Sequence, residues 1–344
     1  MKIAIIAVRD TGGTAYTLAH AINSVTPENQ AISLRGINNF IDYPTFVDWI
    51  NHPKKSIKEM IYKADTLVFL GAMKPIFDFL KLQKKLLKTK KKLLLCMGSE
   101  WRYGRIDLLK QADRLLKNYK VVLGGADMFL PITVRHPETG IETDFPMVED
   151  SEADYLPVVR SMDEISGTYS LCNQDQNALD TFDVQKEKIV FTHAPTSEIT
   201  KGSTTFYRVI TQAQQAIKKM VFKTIKMQTW ATTLRGLSVS DVLLDQAPPF
   251  PTAYGALSVE AGIFRVPSFS RVSVEAQQWI KQKTGLNTPY ITFGDEAELL
   301  ERVLRISTDD KMRQEFGKMN YEYCKALHDE KPVVDKFFKI LESM

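Results

Sequence analysis

A chain of 344 residues with 44% hydrophobic and 25% charged side chains is longer than one core usually supports and too apolar to stay disordered, which predicts two globular domains. Three cysteines, Cys96, Cys172 and Cys324, odd in number and far apart, suggest neither a disulfide framework nor a zinc site. The net charge of +4 hides an asymmetry: residues 1–130 carry 21 Lys/Arg against 11 Asp/Glu, 131–160 carry 2 against 7, and 161–344 carry 22 against 23. The positive excess of the first 130 residues would attract a polyanion or an anionic membrane surface.

In chain order, Met1-Lys2-Ile3-Ala4-Ile5-Ile6-Ala7 is too short and too quickly polar for a signal peptide, and no apolar run approaches the roughly 20 residues of a membrane span. A cytoplasmic protein is expected, with peripheral attachment at the inner membrane face left open. Lys2 to Val8 reads as a buried strand, and Arg9 to Thr14, containing Gly12 and Gly13, as the turn into a helix from Ala15 to Ser24. Apolar runs at Ala31 to Leu34, Thr66 to Leu70, Lys92 to Met97 and Lys120 to Leu123 alternate with helical patterns near 55–64, 75–88 and 105–117. His136 to Ile141 is a turn signal that closes a hairpin, and an acidic stretch follows at Glu149 to Asp154.

A second series starts after residue 180. Lys188 to His193, Met220 to Lys226, Val242 to Gln246, Pro267 to Ser270 and Tyr290 to Thr292 read as strands, with helices near 203–218, 255–264, 273–283, 295–305 and 309–327. This alternation predicts an α/β protein of two doubly wound, Rossmann-like domains facing a cleft, with ligands at the carboxyl ends of the strands. The expected limits are 1–165 for the first domain and 180–328 for the second, with the hinge near 155–180. A last helix from Val333 to Leu341, within 329–344, would cross back to the first domain.

The most informative segment joins the strand Val242 to Gln246, ending in acid and amide, to Thr252-Ala253-Tyr254-Gly255-Ala256-Leu257-Ser258-Val259-Glu260-Ala261. A helix opening at Gly255 turns amides and a positive dipole end toward an anion, and Glu260, about one and a half turns in, could accept both hydroxyls of a ribose. The expectation is a nucleotide-sugar site. Its helix neighbours Leu257, Val259 and Ala261 suggest burial, and an unpaired buried carboxylate is costly; the plain alternative for Glu260 is a solvated helix face.

Four places, in order, carry a resemblance to a known family: Lys2-Ile3-Ala4-Ile5 with Gly12-Gly13; Gly98-Ser99-Glu100-Trp101-Arg102; His193-Ala194-Pro195-Thr196 with Lys201-Gly202; and Asp241 to Pro267. Together they sample most of the chain, which resembles GT-B glycosyltransferases of the retaining family 4 type. The last place is the most specific: aspartate-glutamine, tyrosine-glycine, glutamate-alanine, then a valine-proline strand. The resemblance implies a metal-independent enzyme without a cofactor, using a nucleoside-diphosphate sugar, UDP-sugar first among them, as co-substrate. The donor would sit mostly on the C-terminal domain and the acceptor on the N-terminal one.

By that resemblance Lys201 and Glu260 are the catalytic candidates, with Lys201 meeting the charge that grows on the departing diphosphate and Glu260 holding the ribose. Tyr254 and Gly255 would face the phosphates, Gly12 and Gly13 would admit the donor sugar, and His193 and Thr252 complete the donor set. Glu100, Trp101 and Arg102 would meet the acceptor. Three positions depart from the family pattern. Thr252 stands where many relatives carry Glu; Glu198 and Thr196 stand where an Arg usually accompanies the lysine, leaving Arg235, Arg208 or Arg9 to supply charge; and Met97 replaces a histidine.

Each candidate also has a plainer reading. Gly12-Gly13 serves any tight turn, His193 a hydrogen-bonded strand end, and Glu100 with Arg102 a local pair. The lysines at 81, 84, 85, 88, 90, 91 and 92 suit a solvated helix face as well as an anionic acceptor. The sequence leaves two acceptors open: a surface glycan or membrane glycolipid, and DNA bearing a hydroxylated base, for which Trp49, Trp101 and Tyr103 would offer stacking surfaces. Two rival functions also stand, a sugar-nucleotide epimerase of the same fold and a non-catalytic nucleotide-sugar-binding subunit.

Overall fold

The computed structural model describes the chain except residues 11, 38–44, 50, 72, 97–98, 131, 136–141, 146–147, 150–151, 166–187 and 248–252, and leaves undescribed the side chains at 9, 37, 99–106, 127, 132–135 and 142–145. The chain divides into two compact units, 1–159 with 330–344, and 160–329.

Unit 1 is built from β1 (Lys2–Arg9), β2 (Gln30–Ile37), β3 (Val47–Asp48), β4 (Thr66–Leu70), β5 (Lys91–Cys96), β6 (Lys120–Leu123), the hairpin strands β7 (Ile132–Arg135) and β8 (Glu142–Phe145), and β9 (Asp154–Tyr155). Seven strands form a parallel sheet in the order β3-β2-β1-β4-β5-β6-β9, and β7 pairs with β8 antiparallel across the turn expected at 136–141. The order runs outward both ways from β1, as in a dinucleotide-binding fold, so its switch point lies at the carboxyl ends of β1 and β4. Ile3, Ile5, Val68, Leu93 and Leu95 bury one sheet face against Leu18 and Ile22 of the helix Thr14–Val25. Val333, Val334, Phe337, Ile340 and Leu341 of the terminal helix Glu330–Glu342 complete that core.

Several expected boundaries move. The helix expected over 75–88 stops at Leu80, because Lys81 turns left-handed at φ 51°, and a 3₁₀ turn follows at Lys84–Leu87. The helix expected from 105 begins at Ser99, six residues earlier.

The lysine run proves largely structural. Lys84 Nζ donates to Arg114 O (2.9 Å) at the end of the helix Ser99–Leu115, and Lys90 Nζ donates to Tyr62 O (2.8 Å) and Ala64 O at the end of the helix Lys54–Lys63. Lys91 Nζ reaches Leu341 O (2.5 Å), near the end of the terminal helix, and buried Lys92 reaches Leu87 O (3.1 Å). Four of the seven lysines thus close helix ends, where unsatisfied carbonyls and the negative dipole end favour a cation. Trp49 is likewise no stacking surface: it is buried, its indole N–H donates to Ala7 O (3.2 Å), and its ring packs on Phe79.

Unit 2 holds β10 (Ile189–His193), β11 (Met220–Thr224), β12 (Val242–Gln246) and β13 (Ser268–Ser270), a parallel sheet in the order β11-β10-β12-β13. Its switch point falls at the carboxyl ends of β10 and β12, where His193 and Gln246 end their strands. Phe191, Leu244 and Phe269 pack against Phe206, Val209 and Ile210 of the helix Ser203–Ala216 and Leu299, Val303 and Ile306 of the helix Glu296–Thr308. Tyr290 to Thr292, expected as a strand, contributes one bridge, Ile291 to Phe269. An unexpected helix, Trp230–Ser238, is capped by the Thr229 hydroxyl accepting from the Thr232 amide. Among the described residues no helix is long and apolar enough to cross a membrane.

Candidate functional site

At the switch point of unit 2, the loop after β10 is folded on itself: the amides of Lys201, Gly202 and Ser203 donate to the carbonyls of Ser197 (3.0 Å), Ile199 (3.2 Å) and Glu198 (3.0 Å). Gly202, at φ 65°, adopts the left-handed conformation that lets the chain enter the helix Ser203–Ala216. Lys201 is fixed to the end of β12 twice. Its carbonyl accepts from the Ala247 amide (3.2 Å), and its ammonium pairs with Asp245 Oδ1 at 2.8 Å.

Asp245 is the centre of this arrangement. Its side chain is 0% exposed while that of Lys201 is 18% exposed, so of this pair only the lysine side chain reaches solvent. Asp245 Oδ2 accepts from the Gly255 amide (2.8 Å) and the Ser258 hydroxyl (2.7 Å), both at the start of the helix Ala256–Ile263. With its amide oxygen turned toward the donors, Gln246 accepts from Lys201 Nζ (3.2 Å) and the Gly255 amide (2.8 Å). Burial alone would push the Asp245 carboxyl up; the charge of Lys201 and hydrogen bonds from Lys201, Ser258 and Gly255 reverse this and hold it below the usual carboxylate range. The lysine loop and the glycine-opened helix therefore meet on one ionised carboxylate.

Gly255 is required for space rather than for backbone conformation. Its φ of −92° is ordinary, but a Cβ there would lie 2.7 Å from both Lys201 Nζ and the Gln246 amide and 2.9 Å from Asp245 Oδ2.

Glu260 follows on the same helix. Its carboxylate, 2% exposed, accepts from Arg160 Nε (2.8 Å), whose side chain is 0% exposed, and from the Trp230 indole N–H (3.2 Å). Arg160 also donates its backbone amide to His328 O (2.7 Å). Tyr254 turns its hydroxyl to Tyr323 (2.9 Å) and His328 Nε2 (3.0 Å) and lays its ring against Tyr290, 4.4 Å between centroids.

His193 lies beneath the cradle, fully buried, between Leu244 O (2.6 Å) and the Ser203 hydroxyl (2.7 Å). Burial first, helped by nearby Lys201 and opposed by the bond to Leu244, lowers its pKa to about 4. A neutral imidazole there donates from Nδ1 to Leu244 and accepts from Ser203, which ties β10 to β12 and to the first turn of the following helix.

In unit 1, Gly13 stands at φ 66° as the cap of the helix Thr14–Val25, whereas a Cβ on Gly12 would meet nothing closer than Thr14 Oγ1 at 3.6 Å. The buried side chain of Asp10 accepts from the amides of Ala15 (3.0 Å) and Tyr16 (3.2 Å), so this helix start already has an acceptor of the protein's own. Glu100, Trp101 and Arg102 lie in the first turn of the helix Ser99–Leu115, at the carboxyl end of β5. Their side chains, and Thr252 altogether, lie outside the described residues. Of the substitutes for the missing arginine, Arg208 pairs with Glu296 and the side chain of Arg9 lies outside the described residues. Glu198, where an arginine was absent, pairs with Lys226 (2.5 Å) and accepts from the Tyr207 hydroxyl (2.7 Å).

Sequence reasoning singled out the Asp245-Gln246 strand end without giving either residue a role, and it missed Ser258, Arg160 and Trp230 as partners of the site. A signal for Asp245 and Gln246 was present, since an apolar strand ending in Asp-Gln places both polar groups at the ligand end of a parallel sheet. Arg160 carries no such signal.

No protein-family model matches the chain, and no curated protein matches it by sequence. Solved structures do. An alpha-glucosyltransferase in complex with UDP and a 13-mer DNA containing a central A:G mismatch superposes with a TM-score of 0.64 at 12% identity, covering 99% of both chains. HepE of Anabaena in complex with UDP and glucose gives 0.60 at 12%, covering 100% of both. The UDP-GlcNAc 2-epimerase of Neisseria meningitidis bound to UDP-GlcNAc gives 0.57 at 8%, again over 100% of both. Likeness at this identity defines the fold: the chain has the two Rossmann-like units of the GT-B fold, found in these glycosyltransferases over their full length.

Proposed function

We propose that the protein is a retaining, metal-independent glycosyltransferase that moves a sugar from a nucleoside-diphosphate donor, UDP-sugar first, to an acceptor hydroxyl. The observation that carries this reading is the meeting of the Lys201 ammonium, the Gly255 helix start and the Asp245-Gln246 strand end at the switch point of unit 2. The reaction breaks the bond between the sugar's C1 and the β-phosphate oxygen and forms one between C1 and the acceptor oxygen. The acceptor proton passes to the departing diphosphate, so no protein base is needed. Charge growing on that diphosphate is met by Lys201 and by the start of the helix Ser203–Ala216, where fixed positive groups lower the barrier most.

In this reading Gly255 and Tyr254 flank the phosphates and Thr252 lies on the donor path. Glu260, paired with Arg160, takes the ribose hydroxyls, which requires the nucleotide to reach a carboxylate that is covered. His193 braces the cradle from below, and Gly12-Gly13 lets the donor sugar approach unit 1. Glu100, Trp101 and Arg102 would face the acceptor, either a surface glycan or glycolipid or a hydroxylated base in DNA. The DNA arm is supported by a fold neighbour solved with UDP and DNA.

The test is to incubate the protein with UDP-glucose, UDP-N-acetylglucosamine and GDP-mannose, with and without hydroxymethylated DNA or glycolipid vesicles, and to measure nucleoside diphosphate and product. Release of diphosphate that is slowed by about 10²- to 10³-fold, yet still measurable, in a folded Lys201→Ala variant, with transfer to one acceptor in the α configuration, supports the proposal. Conversion of the sugar nucleotide into its epimer without acceptor replaces it with the epimerase. Tight binding with no turnover under any condition replaces it with a binding subunit.

A further inference from the structure

We infer that Asp245 is a positioning residue: a buried carboxylate that sets the Lys201 ammonium and the Gly255 amide at one place, so that both face the same leaving group. The inference rests on the glycosyltransferase reading of this site and goes beyond it in assigning Asp245 a role in turnover rather than in folding alone.

Asp245 is completely buried, yet its carboxylate joins two elements at the carboxyl end of β12: the lysine loop through Oδ1, and the start of the helix Ala256–Ile263, by the Gly255 amide and the Ser258 hydroxyl, through Oδ2. A carboxylate serving the core alone would have no need of the loop lysine, whose side chain is partly exposed where that of Asp245 is not. The flexible stem of a lysine loses considerable rotamer freedom when its head group is fixed. Asp245 and Gln246 impose that loss during folding, so it is not paid again when the donor binds or reacts. The pair is formally neutral. An ammonium so held binds a ground-state diphosphate weakly and responds to the extra charge that develops as the C1–O bond breaks, which places its effect on turnover more than on affinity.

The experiment is a double-mutant cycle on the full chain with water as acceptor, using whichever of UDP-glucose, UDP-N-acetylglucosamine and GDP-mannose the natural protein hydrolyses. Asp245→Asn keeps the size and the acceptor facing Gly255 and Ser258 but turns an amide N–H toward the ammonium. It is expected to lower kcat by about 100-fold while KM moves less than about threefold. In a Lys201→Ala background the same substitution should change kcat by less than about twofold, because it alters the carboxylate's side facing the lysine and keeps the acceptor facing Gly255 and Ser258. Where Asp245→Asn does not fold, Ser258→Ala, which removes one anchor of Oδ2, should lower kcat by about three- to tenfold in the natural background and leave it unchanged beside Lys201→Ala. Equal losses in both backgrounds, or a rise in KM with kcat preserved, would show a merely structural Asp245 and overturn this inference while leaving the glycosyltransferase intact. A natural protein that neither hydrolyses any of the three donors nor binds UDP would overturn both.

Discussion

Gly255→Ala separates the backbone of the cradle from its contents. With φ −92° and ψ 169°, alanine fits the main chain without strain. Its methyl carbon, however, would lie 2.7 Å from Lys201 Nζ and from the Gln246 amide and 2.9 Å from Asp245 Oδ2. Restoring ordinary contact at 3.4 Å moves the ammonium by about 0.7 Å, which the 2.8 Å bond to Asp245 cannot absorb without stretching out of range. A shift approaching 1 Å at a group that positions a reacting centre costs up to about 10²-fold in rate, and loosening one charge-assisted hydrogen bond costs about 1.5–3 kcal/mol of stability. Diphosphate release should therefore fall by about 10- to 100-fold in a variant that still melts cooperatively. Gly294→Ala is the control, since its Cβ would meet only Glu298 Oε2, at 3.4 Å. If Gly255→Ala released diphosphate at the natural rate, the convergence of the lysine loop and the glycine-opened helix would have no bearing on function.

Further predictions concern the supports of the site. His193 titrates at about 4 when folded against 6.5 when unfolded, so the unfolded chain takes up the proton first. Stability from this residue is intact above pH 6.5 and is lost as pH falls toward 4, by on the order of 3 kcal/mol in total, and urea unfolding at pH 7 and pH 4.5 should show a slope that His193→Gln removes. Arg160→Ala leaves Glu260 buried without its cation and should cost about 3–5 kcal/mol in denaturant unfolding, much of it recovered when Glu260→Gln is added. Lys90→Met should lower stability by about 1–2 kcal/mol at both low and high salt, because its bonds to Tyr62 O and Ala64 O close a helix rather than await a partner. Gly317→Ala gains helix propensity of about 1 kcal/mol, yet its Cβ would stand 2.0 Å from Arg265 O, so thermal melting should show a net loss.

The α/β alternation was legible because parallel strands buried on both faces read as continuous apolar runs: Ile3-Ala4-Ile5-Ile6, Leu67-Val68-Phe69 and Leu93-Leu94-Leu95 are all buried strand residues. Local chemistry also showed the chain turns at Gly13 and Gly202, both left-handed caps. The helix Trp230–Ser238 was missed although Trp230, Leu234 and Leu237 recur at helical spacing, because nine residues give a short signal. Tyr290 to Thr292 has a strand-like composition, but a strand needs a partner along its length, and only Ile291 finds one. What sequence could not show were pairings across long separations: Lys201 with Asp245 at 44 residues, Arg160 with Glu260 at 100, and Lys91 with Leu341 at 250. The same limit left the lysine run readable only as a solvated helix face or an anionic-acceptor surface, since most of the carbonyls it closes belong to other helices.

The most direct measurement is calorimetric titration of the intact protein with UDP. The account requires saturable heat at one site per chain, reduced at least about tenfold in affinity by Gly255→Ala and unchanged by Gly294→Ala. A flat titration with UDP, and again with UDP-glucose and GDP-mannose, would leave the cradle of Lys201, Asp245 and Gly255 without a ligand and contradict the account at its base.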